Sequence, residues 1–425
     1  MASAGIRKSR NGRRYQVWWR LDDGSQGSKT FTTRDRAREF KNELLAQADR
    51  DAWIDPRRGR ILFEDWADRW WQLWSANPRR SPKGLETTVS HLRRHLRPYF
   101  GRRQLGRITP SIVLRWQHEL ETRLGYSGVM ACRSLLLRIL EAARKERLIA
   151  TNPVREVDAP EPPVNPDEIF GNVRRRTFTP EEFGEFLAAC RPFYRDHFLT
   201  QAGTGLRPGE LLGLRRRRVH PERRRIEVLE VRYEAGKFGR GFKDRPKSPA
   251  SIRVVPMAQA VRGAIVRQLL PGSDPEDLVF SGPGGNRWAR RGARPPLSTH
   301  NYRRVYKAVI VSRIKAPDGT ITERPRFPHL DLHGPHDLRR TFATWLEDAG
   351  IPSRVIDELM GHEGGRMERG VSPMGALYRE TTPEMLARAT AAMDDRLAIA
   401  LKVAARLLPE VEERRRSRRA RRDAS

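Results

Sequence analysis

Two arginines, a lysine, two histidines and a tyrosine lie in short boxes along the second half of this 425-residue chain. Arg207 sits in Thr204-Gly205-Leu206-Arg207-Pro208-Gly209-Glu210-Leu211, and Lys247 opens the run Lys247-Ser248-Pro249-Ala250-Ser251-Ile252-Arg253-Val254-Val255-Pro256. His336-Asp337-Leu338-Arg339-Arg340, then Met360-Gly361-His362, then a solitary Tyr378 follow. Arginine offers permanently charged, bidentate donors that match phosphate oxygens. Imidazole titrates near neutrality and can pass a proton, and a tyrosine hydroxyl can form a covalent intermediate. The set suits attack on a phosphodiester.

In content and order these boxes resemble those of the tyrosine recombinases, the phage integrase family of site-specific DNA recombinases. The likeness runs from about Thr177 to Arg396. One box alone would carry little weight in so arginine-rich a chain, but five in the right order carry much. The resemblance implies that Arg207 and Arg339 clamp the non-bridging oxygens and stabilise the charge growing in the transition state. His336 and His362 donate hydrogen bonds or move the tyrosine's proton, Lys247 protonates the departing 5′ oxygen, and Glu210 orients Arg207 or a histidine from behind. Tyr378 attacks and is left as a 3′-phosphotyrosyl bond. That bond conserves the energy of the broken one, so no cofactor, neither ATP nor metal, is expected. Lys243 is a nearby rival, but Lys247 alone stands at the family's spacing from Ser251-x-Arg253. Among the eight tyrosines only Tyr378 follows His362. The gap between them is longer than the family's usual one, and Glu363–Pro373 reads as an inserted loop.

Net charge is +31, with 83 Lys and Arg against 52 Asp and Glu, and a field of that sign favours a polyanion, nucleic acid first. A basic membrane-surface protein would need an amphipathic anchor or a lipidation signal, and neither is found. A hydrophobic fraction of 38% permits real cores, although a mean hydropathy of −0.70 makes the surfaces very polar. Cys132 and Cys190 sit in apolar helical patterns and read as small buried hydrophobes. No signal peptide opens the chain and no apolar run approaches spanning length. A soluble cytoplasmic protein, on the nucleoid when bound to DNA, is expected.

The fold expected is multidomain, mainly α with small β-sheets. Residues 1–58 pair turn signals at Asn11-Gly12 and Asp23-Gly24 with the alternating run Tyr15–Leu21, and Gln26–Thr32 supplies a third strand. Thr33 caps a helix carrying Ala37, Phe40, Leu44 and Leu45. Three strands and a helix resemble the arm-type DNA-binding domain at the front of lambda-type integrases, with Arg13, Arg14 and Arg20 as DNA contacts. Residues 61–154 are helical. Phe63, Trp66, Ala67, Trp70, Trp71 and Trp74 form one stripe, which reads as core rather than as a stacking platform for bases. This bundle resembles the SAM-like core-binding domain, with Arg93, Arg94 and Arg97 toward the duplex backbone.

Residues 155–176, rich in proline, make a semi-rigid linker. Residues 177–396 read as a mixed α/β catalytic domain opened by the capping box Thr179-Pro180-Glu181-Glu182. Its strands are expected at Ile226–Val231, Gly241–Arg245 and Ile252–Pro256. Its helices are expected at Gln259–Leu270, Ser298–Val311, His336–Ala349, Pro352–Met360 and from Pro383 to Leu408. Gly282–Pro296 and Lys315–Leu332 look like insertions or DNA-side loops. Residues 397–425 end that last helix and lead into an arginine-rich tail, expected to be disordered and to hold phosphate without sequence preference.

The partners this implies are double-stranded DNA at attachment sites, a homotetramer assembled on it, and a bending protein or excision factor. Two other classes compete. One is a catalytically silent DNA-binding regulator on the same fold. The other is a metal-dependent nuclease built on His329-x-Asp331-x-His333, three potential ligands on one face of a strand. It lacks a carboxylate-rich partner motif.

Overall fold

The structure, a computed structural model, describes residues 3–8, 12–20, 26–49, 58–164, 174–243, 249–269, 274–283, 295–315, 320–362 and 381–423. The chain divides into two compact units, Met1–Asn165 and Pro166–Ser425.

The first unit begins with an antiparallel sheet in the order β1 (Ser3–Lys8), β2 (Tyr15–Arg20), β3 (Gln26–Phe31), followed by α1 (Arg34–Asp49). Period-two alternation sends Val17 and Trp19 against Ala37, Phe40 and Leu44 of α1, while Trp18 is 41% exposed on the other face. That open face carries a ladder in which Arg7 Nε donates to Gln16 Oε1 (2.9 Å) and Gln16 Nε2 to Ser28 Oγ (2.8 Å). Thr33 Oγ1 accepts from Arg36 N at 3.4 Å, as a capping residue should.

The helices that follow are α2 (Phe63–Ser75), α3 (Pro82–His91), α4 (Arg97–Phe100), α5 (Pro110–Glu121) and α6 (Tyr126–Lys145), with a π turn at Leu92–Leu96 joining α3 to α4. The tryptophan stripe is core. Trp66 and Trp70 are buried with Phe100, Trp116, Leu136 and Ile139. The indole of Trp66 donates to Ile139 O (3.0 Å), and that of Trp116 donates to His95 O inside the π turn (3.1 Å). Cys132 is buried here, and Cys190 is buried in the second unit, both free thiols. Buried Arg133 donates to Gln117 Oε1 (2.9 Å) and to the carbonyls of Val154 and Val157, so the chain joins the bundle core as far as Val157.

The second unit opens with α7 (Pro180–Ala189), where the expected capping box forms in both directions between Thr179 and Glu182. Then come α8 (Pro192–Thr204), α9 (Pro208–Leu211), β4 (Val219–His220), β5 (Arg225–Val228), β6 (Val231–Glu234), β7 (Arg240–Lys243) and β8 (Arg253–Pro256). After α10 (Gln259–Gln268) and α11 (Thr299–Ile310) stand β9 (Val311–Lys315) and β10 (Ile321–Pro325), then α12 (His336–Asp348), α13 (Ser353–Met360) and α14 (Pro383–Asp423). One large core gathers Phe183, Phe186, Phe198, Tyr302, Tyr306, Phe342, Trp345 and Leu397. α12 is tied to the domain's first residues, because Thr341 Oγ1 accepts from Phe178 N and Trp345 Nε1 donates to Phe178 O (3.1 and 2.8 Å).

Three expectations are corrected. The strand expected over Ile226–Val231 is broken into β5 and β6, which pair in different antiparallel sheets, β4-β5-β8 and β6-β7. The break falls at Glu230, a buried carboxylate that accepts from Arg215 (2.6 Å) and Arg217 (2.5 Å) instead of continuing the ladder. The segment Lys315–Leu332, expected as loop, contains β10, paired antiparallel to β9 from Val311↔Pro325 to Lys315↔Ile321. The basic tail is helical. α14 runs to Asp423 through Pro409, where the expectation had been disorder. Glu410 and Glu412 stand four residues ahead of Arg414 and Arg416, a spacing and composition that sustain helix. Most of Gly282–Pro296 lies outside the described residues.

α14 lies against α7 because Gly184 leaves room for it. A Cβ there would meet Ala400 O at 2.5 Å and Val403 Cβ at 2.7 Å. Alanine would gain about 1 kcal/mol of helix propensity, but overpacking against a backbone carbonyl that cannot rotate away costs about 1–3 kcal/mol. Gly184→Ala should therefore lower stability, seen as an earlier denaturant midpoint; an unchanged or later midpoint would show that the two helices have slack.

Candidate active site

The sequence signals that begin and end short helices are also what bring the site together. α8 ends at Gly205, whose φ of 63° and contact with the Phe342 ring, 2.5 Å from where a Cβ would stand, both require glycine. Pro208 at the first turn of α9 then makes Arg207 its N-cap residue. The Glu210 carboxylate accepts from Arg207 N (2.9 Å) and from Arg207 Nη1 (2.8 Å). It also accepts from both terminal nitrogens of Arg253 on β8 (2.8 and 3.3 Å). The side chains of Glu210 and Arg253 are 2% and 3% exposed, so this is a buried ion pair. Burial pushes the Glu210 carboxyl up, but its bonds to Arg253 and Arg207 outweigh that and hold it below its ordinary value.

α12 delivers the second arginine. Arg339 is buried; its Nη1 donates to Gly205 O (2.6 Å) and its Nη2 to Met360 O. The same Nη2 lies 3.1 Å from His362 Nε2, and Arg207 Nη2 donates to Gly361 O (3.1 Å). Desolvation first, then the charge of Arg207, push the Arg339 guanidinium down to about 9, which leaves it charged at neutral pH. The start of α12 is held by buried Asp337, whose Oδ2 accepts from His333 N (2.6 Å), Gly334 N (2.8 Å) and the Tyr306 hydroxyl (3.3 Å). His336, one residue earlier, faces outward. Desolvation, then Arg339, lower its imidazole below the ordinary value, with Arg207 and Arg340 adding to the effect and Asp337 opposing it.

The structure thus brings Arg207, Glu210, Arg339 and His362 into one connected site, with His336 at its electrostatic edge. Lys247 and Tyr378 lie outside the described residues. Ala250 and Ser251, just beyond Lys247, are at the site: Ser251 O accepts from Arg253 (3.1 Å), and Ala250 O lies 3.0 Å from where a Gly361 Cβ would be. Lys243 sits half-buried on β7, 5.9 Å from the Tyr233 ring centre, and burial lowers its ammonium.

Two further residues belong to the site. In the sequence Arg253 marks spacing only, although an arginine at an inward strand position needs a carboxylate. Asp357 carries no sequence signal of its own; its Oδ1 lies 2.9 Å from His362 Nδ1. The triplet His329, Asp331 and His333 disperses into separate pairs, His329 with Glu182 (2.7 Å) and His333 with Asp331 (3.1 Å). Among the described residues, no three His, Cys, Asp or Glu side chains stand together as a metal site would need.

Of the other basic candidates, Arg13, Arg14 and Arg20 are exposed in the first sheet and its turn, and Arg93 and Arg94 are exposed on the π turn. Arg97 is half-buried and bonded to Asp68. Among the described residues no helix is long and apolar enough to cross a membrane.

Two guanidiniums and a histidine held on one turn, in a helical domain with small antiparallel sheets, define an enzyme class built for phosphodiesters. Residues 176–369 match the phage integrase family, and residues 62–121 match the SAM-like N-terminal domain of phage integrases. Among curated proteins, the chain is 22% identical to the integrase of Mycobacterium phage D29, covering 85% of this chain and 90% of that one. It is 23% identical to the integrase of Mycobacterium phage L5 (75% and 82%). Among solved structures, its fold is similar to that of a lambda integrase dimer bound to a COC′ core site, with a TM-score of 0.51 and 17% identity over 89% of this chain and 97% of that one. A Tn1549 transposon integrase in complex with a circular-intermediate DNA gives 0.54 and 19%, over 78% and 99%. The chain belongs to the phage integrase family, the tyrosine recombinases, and is a site-specific DNA recombinase.

Glu210→Gln would leave Arg253 buried beside Arg207 without its counter-charge, a loss of about 3–5 kcal/mol. Because the carboxyl is lowered in the folded state, its contribution is complete above its ordinary value and is lost as pH falls through the lowered one. The stability gap between the wild type and Glu210→Gln should therefore be widest near neutrality and close in acid. Denaturant melts across pH would show this, and a gap that stays constant into acid would mean that the pair contributes no ionic stabilisation.

Proposed function

We propose that this recombinase integrates a phage or other mobile element by cutting and rejoining DNA through a 3′-phosphotyrosyl intermediate. The observation that carries the proposal is the convergence of Arg207, the N-cap of α9, and Arg339 of α12 on the carbonyls of the turn that presents His362. In this reading the two guanidiniums hold the non-bridging oxygens. The Tyr378 oxygen bonds to phosphorus while its proton passes to a histidine, His362 or His336. The bond to the 5′ oxygen breaks, and Lys247 supplies the proton that oxygen takes. Rejoining runs the same transfers in reverse. Glu210 serves by fixing Arg207, and no cofactor enters the scheme.

Residues 1–58 would act as an arm-type DNA-binding domain through Arg13, Arg14 and Arg20, and residues 61–154 as the core-binding domain through Arg93, Arg94 and Arg97. Residues 155–176 would link these to the catalytic domain at 177–396, with residues 397–425 as a basic C-terminal extension. A sheet of that size suits the major groove, where base edges can be read, and the exposed face bearing Arg7, Gln16, Trp18 and Arg20 supports this use. A lambda integrase tetramer has been solved on a Holliday junction; a homotetramer on attachment-site DNA, helped by a bending protein or excision factor, is the assembly we propose here. It would work in the cytoplasm, on the nucleoid while bound. A catalytically silent regulator is not favoured, because a silent copy has no use for the complete set of six reactive side chains present in the sequence.

The decisive experiment is covalent capture. With a nicked half-site in chelator, the protein should form a covalent DNA adduct and Tyr378→Phe should form none; an adduct in Tyr378→Phe would remove the nucleophile assignment. Arg207→Lys should bind the same half-site yet cleave about 100-fold or more slowly, since a point charge cannot reproduce the fork. Loss of binding in a folded Arg207→Lys protein would make this arginine an ordinary backbone contact.

Removing residues 1–58 should leave half-site cleavage intact, because the six reactive residues all lie beyond Thr177, while recombination between complete attachment sites should fail. Full recombination by the truncated protein would leave that domain without an arm-binding role.

A further inference from the structure

α13 closes in a Schellman motif. Gly361 N donates to Glu358 O and His362 N to Asp357 O, both at 3.0 Å, with Gly361 at φ 65°. The motif packs its last residue against the one five places earlier, and that contact is ordinarily apolar. Here it joins Asp357 to His362, with Oδ1 and Nδ1 2.9 Å apart. A carboxylate in a helix's last turn opposes the helix dipole, and this turn holds no basic residue to offset it. Helix stability alone would favour an apolar or basic side chain at 357. The ring's other nitrogen lies 3.1 Å from Arg339 Nη2. A guanidinium only donates, so Nε2 must accept, and the proton of the neutral ring belongs on Nδ1, where Asp357 receives it.

We propose that Asp357 is a positioning residue for His362, holding the ring as the Nδ1–H tautomer with the Nε2 lone pair turned toward Arg339, beside the phosphate that this arginine would hold. This rests on the reading of His362 as part of the cleavage site. In the cutting step the nucleophile's oxygen bonds to phosphorus and its proton moves to Nε2. The 5′ oxygen leaves with a proton from the lysine, and the Asp357 carboxylate neutralises the imidazolium until rejoining returns the proton. The same carboxylate–histidine logic operates in serine hydrolases, where the carboxylate sets the tautomer and stabilises the charged ring. Among the described residues, the charged groups around the ring are Arg339 from α12, Arg207 at the N-cap of α9, Arg253 and its partner Glu210 behind Gly361, and Asp357 and Glu358 from α13. Glu210 is engaged by Arg253 and Arg207, so among these Asp357 is the carboxylate that reaches the imidazole.

The test uses full-length protein labelled with 15N-histidine, with His362→Gln to assign the ring signals. The wild-type ring should report Nδ1–H, and Asp357→Asn, whose amide accepts more weakly than a carboxylate and can also donate to Nδ1, should lose part of that preference. Covalent capture of a nicked half-site by Asp357→Asn should slow by about 10- to 100-fold, while binding of that half-site is unchanged. Asp357→Glu should recover part of the rate. An Nε2–H ring in the wild type, or an Asp357→Asn protein with the wild-type tautomer and rate, would overturn the proposal. A ring with the expected tautomer in a wild-type protein that forms no adduct would remove the cleavage role together with the function proposed above, and leave the bond standing. The two failures are thereby told apart.

Discussion

Three consecutive carbonyls at the end of one short helix organise the second unit. Helix ends leave their last carbonyls without intrahelical partners, at the negative pole of the dipole. In α13 those of Leu359, Met360 and Gly361 each accept from a different arginine: Arg253 from β8 (2.6 Å), Arg339 from α12, and Arg207 from α9 (3.1 Å). A feature that water satisfies in most proteins is here the point where four separated stretches of chain meet. The turn can be approached so closely because Gly361 has no Cβ, which would stand 3.0 Å from both Arg253 Nη1 and Ala250 O.

Cations cannot be gathered in a low-dielectric interior without opposing charge. Glu210 supplies it for Arg253 and Arg207, and its further bond, to Arg207 N, fixes the backbone from which Arg207 projects. The other buried carboxylate nearby, Asp337, is turned to backbone N–H groups and a tyrosine hydroxyl, so it shapes the start of α12 and leaves Arg339 unpaired by any carboxylate bond among the described residues. Arg339 and His336 are lowered by desolvation first and then by that surplus of positive charge. A phosphodiester entering the site would bring the missing anion, so the charge balance that strains the free protein favours its ligand.

What could be read from the sequence follows the range of the interactions responsible. Helix starts are written locally, and the capping box at Thr179 and the helix start at Ser298 both fall where expected. The tryptophan stripe was legible as core because its spacing is helical and its size demands burial. Strand partners were not legible, since the choice between extending β5 and starting β6 depends on Arg215 and Arg217 reaching back to Glu230. The reactive boxes were visible as residue types in order. Their supports, Arg253 and Asp357, were not, because each takes its meaning from a partner that only the fold brings near: Glu210, distant in sequence, and His362, one turn on. The helical continuation past Leu408 was hidden by Pro409 and by the habit of reading a basic run as tail.

The arrangement also explains how two arginines can be fixed and still available. A guanidinium has more N–H donors than the bonds described here consume: Arg207 spends Nη1 on Glu210 and Nη2 on Gly361 O, and Arg339 spends Nη1 on Gly205 O and Nη2 on Met360 O and His362. Lysine, with one nitrogen, would have to choose between the turn and the substrate. Holding the fork by part of its donors removes most of its rotamer freedom before DNA arrives, so the entropy of positioning is met in folding rather than in the transition state. Besides Glu210 and His362, the contacts that secure these arginines run to main-chain carbonyls, two of them in the α13 turn, which makes the geometry depend on the turn itself. A change to the α13 turn should therefore reach the chemistry as directly as a change to the arginines.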